Sequence, residues 1–115
     1  MNDKDFISQI TLIFQVRWLR ISIRFFTVLR EVTGKREQEM QFQESEKVTV
    51  EFALKALETQ YGKPFADYVY DYQTGEVKGF LQFLINGKSS AALLGLKSEL
   101  HEGDVLAIIP PVGGG

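Results

Sequence analysis

Thr49-Val-Glu-Phe-Ala-Leu-Lys-Ala-Leu-Glu-Thr-Gln-Tyr-Gly62 is the stretch of sequence that decides the fold. Thr49 is a suitable N-cap, because its hydroxyl can accept a bond from an unpaired N–H of the first helical turn. Gly62, followed by Pro64, marks the end of the helix. The apolar residues share one face at helical spacing: Val50, Ala53, Leu54, Leu57 and Tyr61. The stretch therefore predicts an amphipathic helix whose apolar face needs a covering layer.

Segments that precede this helix alternate apolar and polar residues like strands. Residues 21–26 predict a first strand and residues 37–43 a second one. Residues 27–33 lose the alternation and end at Gly34, which indicates one or two helical turns between the strands. The two strands can pair antiparallel.

Segments that follow the helix complete the sheet. After an aromatic segment that fits a helical turn, residues 77–85 predict a third strand, and Asn86-Gly87 is typical of a tight hairpin. Residues 88–91 predict a short return strand, and residues 105–109 predict the last strand. We therefore expect an α+β fold, with a mixed sheet of about four to five strands wrapping one main helix on one face. The other face is left for solvent or a partner.

Composition narrows the classes of function. The 115 residues suit a single domain, and a net charge of −2 with scattered Lys and Arg argues against a broad nucleic-acid contact. Because the chain has no cysteine, it has no disulfide, thiolate metal site or cysteine nucleophile. We expect no metal site, since the Glu37–Glu46 carboxylates are spaced like a solvated surface and His101 lies in a predicted turn. No nucleophile–base pair indicates an enzyme that acts alone.

The two ends of the chain differ from its centre. Residues 1–19 are rich in apolar side chains, whose spacing fits a strand or a helix, and we treat them as an N-terminal extension before a domain at 20–109. The start is not cationic like a secretory signal, and no run approaches the roughly 20 apolar residues that span a membrane. We therefore expect a cytoplasmic protein with no membrane contact.

The C-terminal tail, residues 110–115, is the most informative motif for function. It reads Pro110, Pro111, Val112, Gly113, Gly114 and Gly115. The prolines stiffen the root of the tail, and glycine has no Cβ, so the end is thin and bends freely. This shape suits delivery of the carboxylate of Gly115 into a narrow active site of another protein.

Several motifs, in this order, resemble those of the ThiS and MoaD sulfur carriers, including the archaeal small modifier proteins. The motifs cover residues 20–115: Ile23–Gly34, Val48–Val50, Leu84–Gly87, Leu100–Val105 and Ile109–Gly115. The resemblance implies a ubiquitin-like β-grasp fold. The Pro-Pro-Val root is most similar to the small subunit of molybdopterin synthase. Gly113 departs from the Ser, Thr or Ala usual there, and residues 1–19 have no counterpart in the family pattern.

The resemblance also implies a mechanism. A ubiquitin-activating-like enzyme would use ATP to adenylate the carboxylate of Gly115, and a sulfur donor would displace AMP to leave a thiocarboxylate. Gly113 and Gly114 would let the backbone pass through a narrow channel. The chain itself would bind no cofactor. The large subunit of molybdopterin synthase, in a heterotetramer, would receive the tail and supply the catalytic residues that transfer sulfur to precursor Z.

Strand phase and resemblance together indicate a docking surface. If Ile21, Ile23 and Phe25 face the helix, Phe26 points to the open face of the sheet, and Ile109 points the same way. Family positions that match these two are interface residues. Arg30, on the short helix, is placed to pair with a carboxylate of a partner.

Other functions share the same tail chemistry. The chain could be a ubiquitin-like modifier that is joined to lysines through Gly115, or a sulfur donor for tRNA thiolation or thiamine synthesis. An interaction domain with an inert tail is a third class. The sequence does not separate these alternatives.

Overall fold

The computed structural model describes residues 17–111, and its secondary structure follows the expected order. Residues 1–16 and 112–115 lie outside the described residues, and so do most of the expected extension and Val112–Gly115 of the tail. The elements are β1 (Trp18–Phe25), α1 (Val28–Thr33), β2 (Glu37–Gln43), α2 (Val50–Tyr61), α3 (Lys63–Val69), β3 (Gln82–Ile85), β4 (Lys88–Ser89), two 3-10 turns (Ser90–Ala92 and Gly95–Lys97) and β5 (Val105–Ile109).

The five strands form one mixed sheet in the order β2-β1-β5-β3-β4. β1 and β5 are parallel, and the other three pairs are antiparallel. This arrangement is the ubiquitin-like β-grasp and confirms the expected fold class. Because β5 lies at the centre of the sheet, the chain leaves the domain from the middle of the sheet and not from an edge.

The core lies between one face of the sheet and the helices. β1 contributes every second residue, Leu19, Ile21, Ile23 and Phe25, and all four are buried. The expected face of α2 is buried against them, with Tyr61 partly buried at its end. Removal of this much apolar surface from water is the main stabilising contribution, at roughly 25 cal/mol per Å².

The boundaries of α2 follow from its end residues. The Oγ1 of Thr49 accepts a hydrogen bond from the N–H of Phe52 at 3.1 Å, as expected for an N-cap. At the other end Gly62 has φ 74°, a value that favours glycine, and its N–H donates to the carbonyl of Glu58 at 2.8 Å. A carbonyl of the last turn is thereby satisfied, and the chain turns directly into α3.

Residues 77–81 differ from the sequence prediction, because the strand expected at 77–85 begins only at Gln82. Val77 forms a bridge with Tyr70, and the N–H of Lys78 donates to the carbonyl of Val69 at 2.8 Å. The backbone of Val77 and Lys78 thus bonds to the end of α3 and not to the sheet. α3 itself is a seven-residue helix where only a helical turn was expected, and it buries Phe65 and Val69 in the core.

Three further features of the described residues concern the start of the domain, membrane spans and metal sites. β1 begins at Trp18, before the expected domain start at residue 20. Of the helices formed by residues 17–111, none is long and apolar enough to cross a membrane. Within the same residues there is no group of three or more His, Cys, Asp or Glu side chains that could hold a metal ion.

Candidate partner-docking site

The boundary between the folded domain and the tail lies at Pro110 and Pro111. Ile109, the last residue of β5, pairs with Gln82 of β3. Pro110 is buried, whereas Pro111 is exposed. Because a proline ring restricts φ, both residues limit the directions in which the following residues can leave. The described part of the tail is thus fixed at Pro110.

The parallel pairing of β1 and β5 brings Phe26 and Ile109 to the same place. Phe25 is the register partner of Ile108, so the next residue of each strand lies at the same end of the sheet. Both side chains line a shallow groove of about 370 Å³ on the open face. Its full lining is Arg24, Phe26, Leu84, Asn86, Gly87, Val105, Ala107 and Ile109. Phe26 and Ile109, expected to form an apolar patch beside the tail root, thus lie together in this groove, which we call the docking groove. Its use by a partner stays a prediction.

Ala107 forms the floor of this docking groove and was missed by the sequence analysis. Its register partners are Arg24 on β1 and Leu84 on β3, so it lies between two long side chains. Although it is on the open face of the sheet, it is only 9% exposed. A small residue between two large ones leaves a depression. The signal was available, because Ala107 has the same strand phase as Ile109.

Arg30 holds the backbone and the ring at the rim of the groove. Its Nε donates to the carbonyl of Phe25 at 2.9 Å, and its guanidinium carbon lies 5.3 Å from the centre of the Phe26 ring. A cation over an aromatic face is attracted by the ring quadrupole, by about 0.5–1 kcal/mol at an exposed site. Arg30 therefore orients Phe26 in the free protein, besides any pairing with a partner carboxylate.

The turn at Thr27 fixes the direction in which Phe26 points. Thr27 has φ 49° and ψ −118°, a backbone conformation that side chains with a Cβ rarely adopt. α1 begins directly after it, and the N–H of Leu29 donates to the carbonyl of Phe26 at 3.1 Å. The chain thus turns sharply after β1 and leaves Phe26 at the end of the strand.

The far end of the groove is closed by a polar network. The Nδ2 of Asn86 donates to Asp104 Oδ1 at 2.8 Å, and the N–H of Val105 donates to Asn86 Oδ1 at 2.9 Å. The other carboxylate oxygen of Asp104 accepts from the N–H of His101 at 2.8 Å. These bonds join the hairpin after β3 to the turn before β5, so the groove wall is rigid. The His101 side chain itself is largely exposed, as expected of a turn residue.

The lining residues indicate binding and not catalysis. Most of the docking groove is apolar, and the ionisable side chain among its lining residues is that of Arg24. A guanidinium stays protonated in proteins and so cannot serve as a general base. Among the described residues, the groove is therefore a mostly apolar surface beside the tail root.

Comparison with known proteins identifies the family and the fold. The sequence model of the ThiS family matches residues 23–115. Small archaeal modifier protein 3 of Haloferax volcanii is 32% identical over 97 residues, which are 84% of this chain and 100% of that protein. The crystal structure of small archaeal modifier protein 1 of the same organism has a TM-score of 0.71 at 29% identity, covering 84% of this chain and 99% of that one. A chain in the BexX/CysO complex of Amycolatopsis orientalis has a TM-score of 0.64 at 25% identity, covering 83% and 99%.

Proposed function

Since this chain belongs to the ThiS family of β-grasp, ubiquitin-like sulfur carriers, we propose that it carries sulfur as a thiocarboxylate on Gly115. We further propose that it serves as the small subunit of molybdopterin synthase. Members of this family are carriers and not catalysts. The observation that carries the proposal is the match of the family along residues 23–115, which includes the whole Gly-Gly-Gly segment.

The geometry of the described residues supports this role. The tail follows the central strand, and Pro110 fixes its root beside the docking groove. A partner that contacts Phe26 and Ile109 would therefore sit where the tail emerges. One contact surface near the root would hold the start of the tail close to the partner's active site, which residues 112–115 would then have to reach.

The proposed activation proceeds in two steps. The carboxylate oxygen of Gly115 attacks the α-phosphate of ATP on a ubiquitin-activating-like enzyme, and pyrophosphate leaves. A sulfide equivalent from a sulfur donor then attacks the acyl carbon, and AMP leaves, so the terminus becomes a thiocarboxylate. The chain contributes the acyl group and the narrow backbone of Gly113 and Gly114, and the partner supplies the catalytic groups.

The proposed acceptor is precursor Z of molybdenum or tungsten cofactor synthesis, bound to the large subunit in a heterotetramer. What supports this choice is the Pro-Pro-Val root of the tail. A chain of similar fold occurs in the BexX/CysO complex, in which two different proteins associate. Sulfur transfer to tRNA or to a thiamine precursor would use the same thiocarboxylate.

Intact-mass spectrometry tests the activation. After incubation with the adenylating enzyme, ATP and a sulfur donor, we expect a mass increase equal to the difference between a sulfur and an oxygen atom. A chain with one alanine appended after Gly115 is the matched control, because it keeps a carboxylate but moves it one residue further. An unchanged mass of the native chain, with an adenylating enzyme that is active on another carrier, would refute the proposal.

Protein modification is the second candidate, because the similar Haloferax proteins bear the name of modifiers. In this function Gly115 forms an isopeptide bond with a lysine of a target. Lys97 is the last tryptic site of the chain, so trypsin would leave Ser98–Gly115 as a branch on the target lysine. Branched peptides in cell extracts, lost when one alanine is appended after Gly115, support modification. Thiocarboxylate on the free chain without such branches favours the carrier.

A further inference from the structure

A basic groove adjoins the docking groove on the other side of Phe26. It measures about 240 Å³ and is lined by Arg24, Phe25, Phe26, Arg30, Arg36 and Glu37. Arg24 and Phe26 line both grooves, so the two are continuous. We call the combined area the bipartite surface: one half is apolar and ends at Ile109, and the other half is basic and ends at Arg36.

The charge of the basic half is opposite to that of the whole chain. Three arginines face a single carboxylate, that of Glu37, on a chain whose net charge is −2. The Nε of Arg24 lies 4.0 Å from Glu37 Oε1, and both side chains are more than half exposed. An ion pair this exposed and this long contributes little to stability. Glu37 therefore leaves most of the positive charge of the groove without a counter-charge.

The other two arginines have no acidic partner within the described part of the chain, since neither Arg30 nor Arg36 lies within 4.0 Å of a carboxylate there. Arg30 is nevertheless held in place, because its Nε donates to the carbonyl of Phe25 and its guanidinium lies over Phe26. The backbone carbonyl of Arg36 accepts from the N–H of Phe25 at 2.9 Å. A fixed guanidinium such as that of Arg30 loses less freedom when it binds. The bond at Arg36 places only the backbone of that residue beside the groove.

We propose that the bipartite surface binds an acidic segment of a partner protein, in which an apolar side chain is flanked by carboxylates. The apolar side chain contacts Phe26, Ala107 and Ile109, and the carboxylates pair with the arginines. This inference rests on the proposed function, because the partner is the enzyme that activates Gly115. A guanidinium can bind a carboxylate through two parallel hydrogen bonds, which gives both strength and orientation.

A protein segment fits this surface better than a phosphate or a nucleic acid does. The apolar half offers nothing to a phosphate group, and it is continuous with the arginines. Nucleic acids need cationic contacts along a wide surface, whereas the basic groove measures only about 240 Å³. Complementary charge at a protein interface mainly increases the rate of association and selects the partner.

Steady-state adenylation kinetics test the inference. The probe is the ubiquitin-activating-like enzyme from the same genome, with pyrophosphate release as the signal. We expect Arg24→Glu and Arg36→Glu each to raise KM about tenfold and to leave kcat unchanged, because docking weakens while the tail chemistry stays. Lys47→Glu is the matched control. It makes the same change of charge at an exposed residue in the loop after β2, at the opposite end of that strand from Arg36. We expect its KM to remain that of the native chain.

Salt provides a second readout. We expect the KM of the native chain to rise with sodium chloride concentration, and that of a doubly substituted Arg24→Glu, Arg36→Glu chain to rise much less. If Gly115 is adenylated and both arginine variants keep the native KM, the inference is wrong while the proposed function stands. Circular dichroism of each variant verifies that the fold is retained.

If Gly115 is not adenylated at all, the proposed function fails and the surface is tested by itself. The probe is then a synthetic peptide, Glu-Asp-Leu-Leu-Asp-Glu, added to the isotope-labelled chain and followed by NMR. We expect shift changes concentrated in residues 24–37 and 105–109, and none with Lys-Lys-Leu-Leu-Lys-Lys. Equal shifts with both peptides, or shifts elsewhere, would overturn the inference.

Discussion

Replacement of Tyr70 by phenylalanine should stabilise this protein. The hydroxyl oxygen of Tyr70 is buried and has no hydrogen-bond partner in the part of the chain that the structure describes. An unpaired buried polar group costs about 1–3 kcal/mol relative to its hydration in the unfolded chain. Phenylalanine removes that group and keeps the ring, over which the Nζ of Lys55 lies 4.5 Å from the centroid. We expect the free energy of unfolding at pH 7 to rise by about 1 kcal/mol.

The same residue predicts a difference in alkali. Burial, with added repulsion from Glu58 and Glu51, raises the pKa of Tyr70 from 10.0 to about 12. Since a tyrosine is neutral when protonated, the folded state holds this proton more tightly than the unfolded state. The stabilisation that this pKa difference gives the folded state is fully present below the unfolded pKa of about 10 and is lost as pH rises through about 12. Two pKa units correspond to about 2.7 kcal/mol, which we reduce to about 1–2 kcal/mol because part of the residue contacts solvent.

Urea denaturation at pH 7 and at pH 11 measures both effects. We expect the advantage of Tyr70→Phe to grow by up to about 1 kcal/mol between the two conditions, because pH 11 lies midway in the titration range. Tyr72→Phe is the matched control, since Tyr72 is 99% exposed and should give no change at either pH. A Tyr70→Phe protein less stable than the native one at pH 7 would show that the hydroxyl has a partner. An advantage that is equal at both pH values would show that its pKa is ordinary.

Two further predictions concern the turn at the docking groove and the acid range. Thr27→Gly should be about 1 kcal/mol more stable than Thr27→Ala in urea denaturation, because φ 49° strains any residue with a Cβ; equal stabilities would contradict the strain. Hydrogen bonds from the backbone and side chain of Arg20 lower the pKa of Glu102 from 4.5. The stabilising effect of the Glu102 carboxylate is therefore present above that value and is lost as pH falls through the lower folded pKa. Glu102→Gln should make the loss of stability in acid less steep when melting temperature is measured against pH. An unchanged profile would show that the bonds between Arg20 and Glu102 do not stabilise the fold.

Sequence periodicity predicted those features of the fold that are set within a single helix or strand. The apolar face of α2, its cap at Thr49 and the alternation in β1 each follow from local spacing, and the structure agrees with all three. Local spacing also put Phe26 and Ile109 on the open face. It could not state that they are neighbours, because that depends on which strand pairs with β1 and in which register. The family resemblance supplied the missing topology.

Residues 77–81 show where local spacing fails. Their composition suits a strand as well as that of residues 82–85 does, but the backbone of Val77 and Lys78 bonds to the end of α3. Val77 forms a bridge with Tyr70, a contact between segments whose proximity the sequence pattern does not reveal. The floor of the docking groove was missed for a different reason. An alanine in a strand gives no sequence signal of a binding site. Ala107 forms a depression only because its neighbours on the two adjacent strands are the larger Arg24 and Leu84.

The docking groove and the hydrophobic core use opposite phases of the same strands. In β5, Leu106 and Ile108 are fully buried against the helices, whereas Ala107 and Ile109 face outwards. A substitution on the outer phase therefore changes the contact surface and leaves the packing against α2 intact. Partner choice can diverge within this fold at little cost in stability, because the fold requires only the inner phase. Arg24 and Ala107, as outer-phase residues of β1 and β5, can thus set the charge and the depth of the docking groove while the core stays the same.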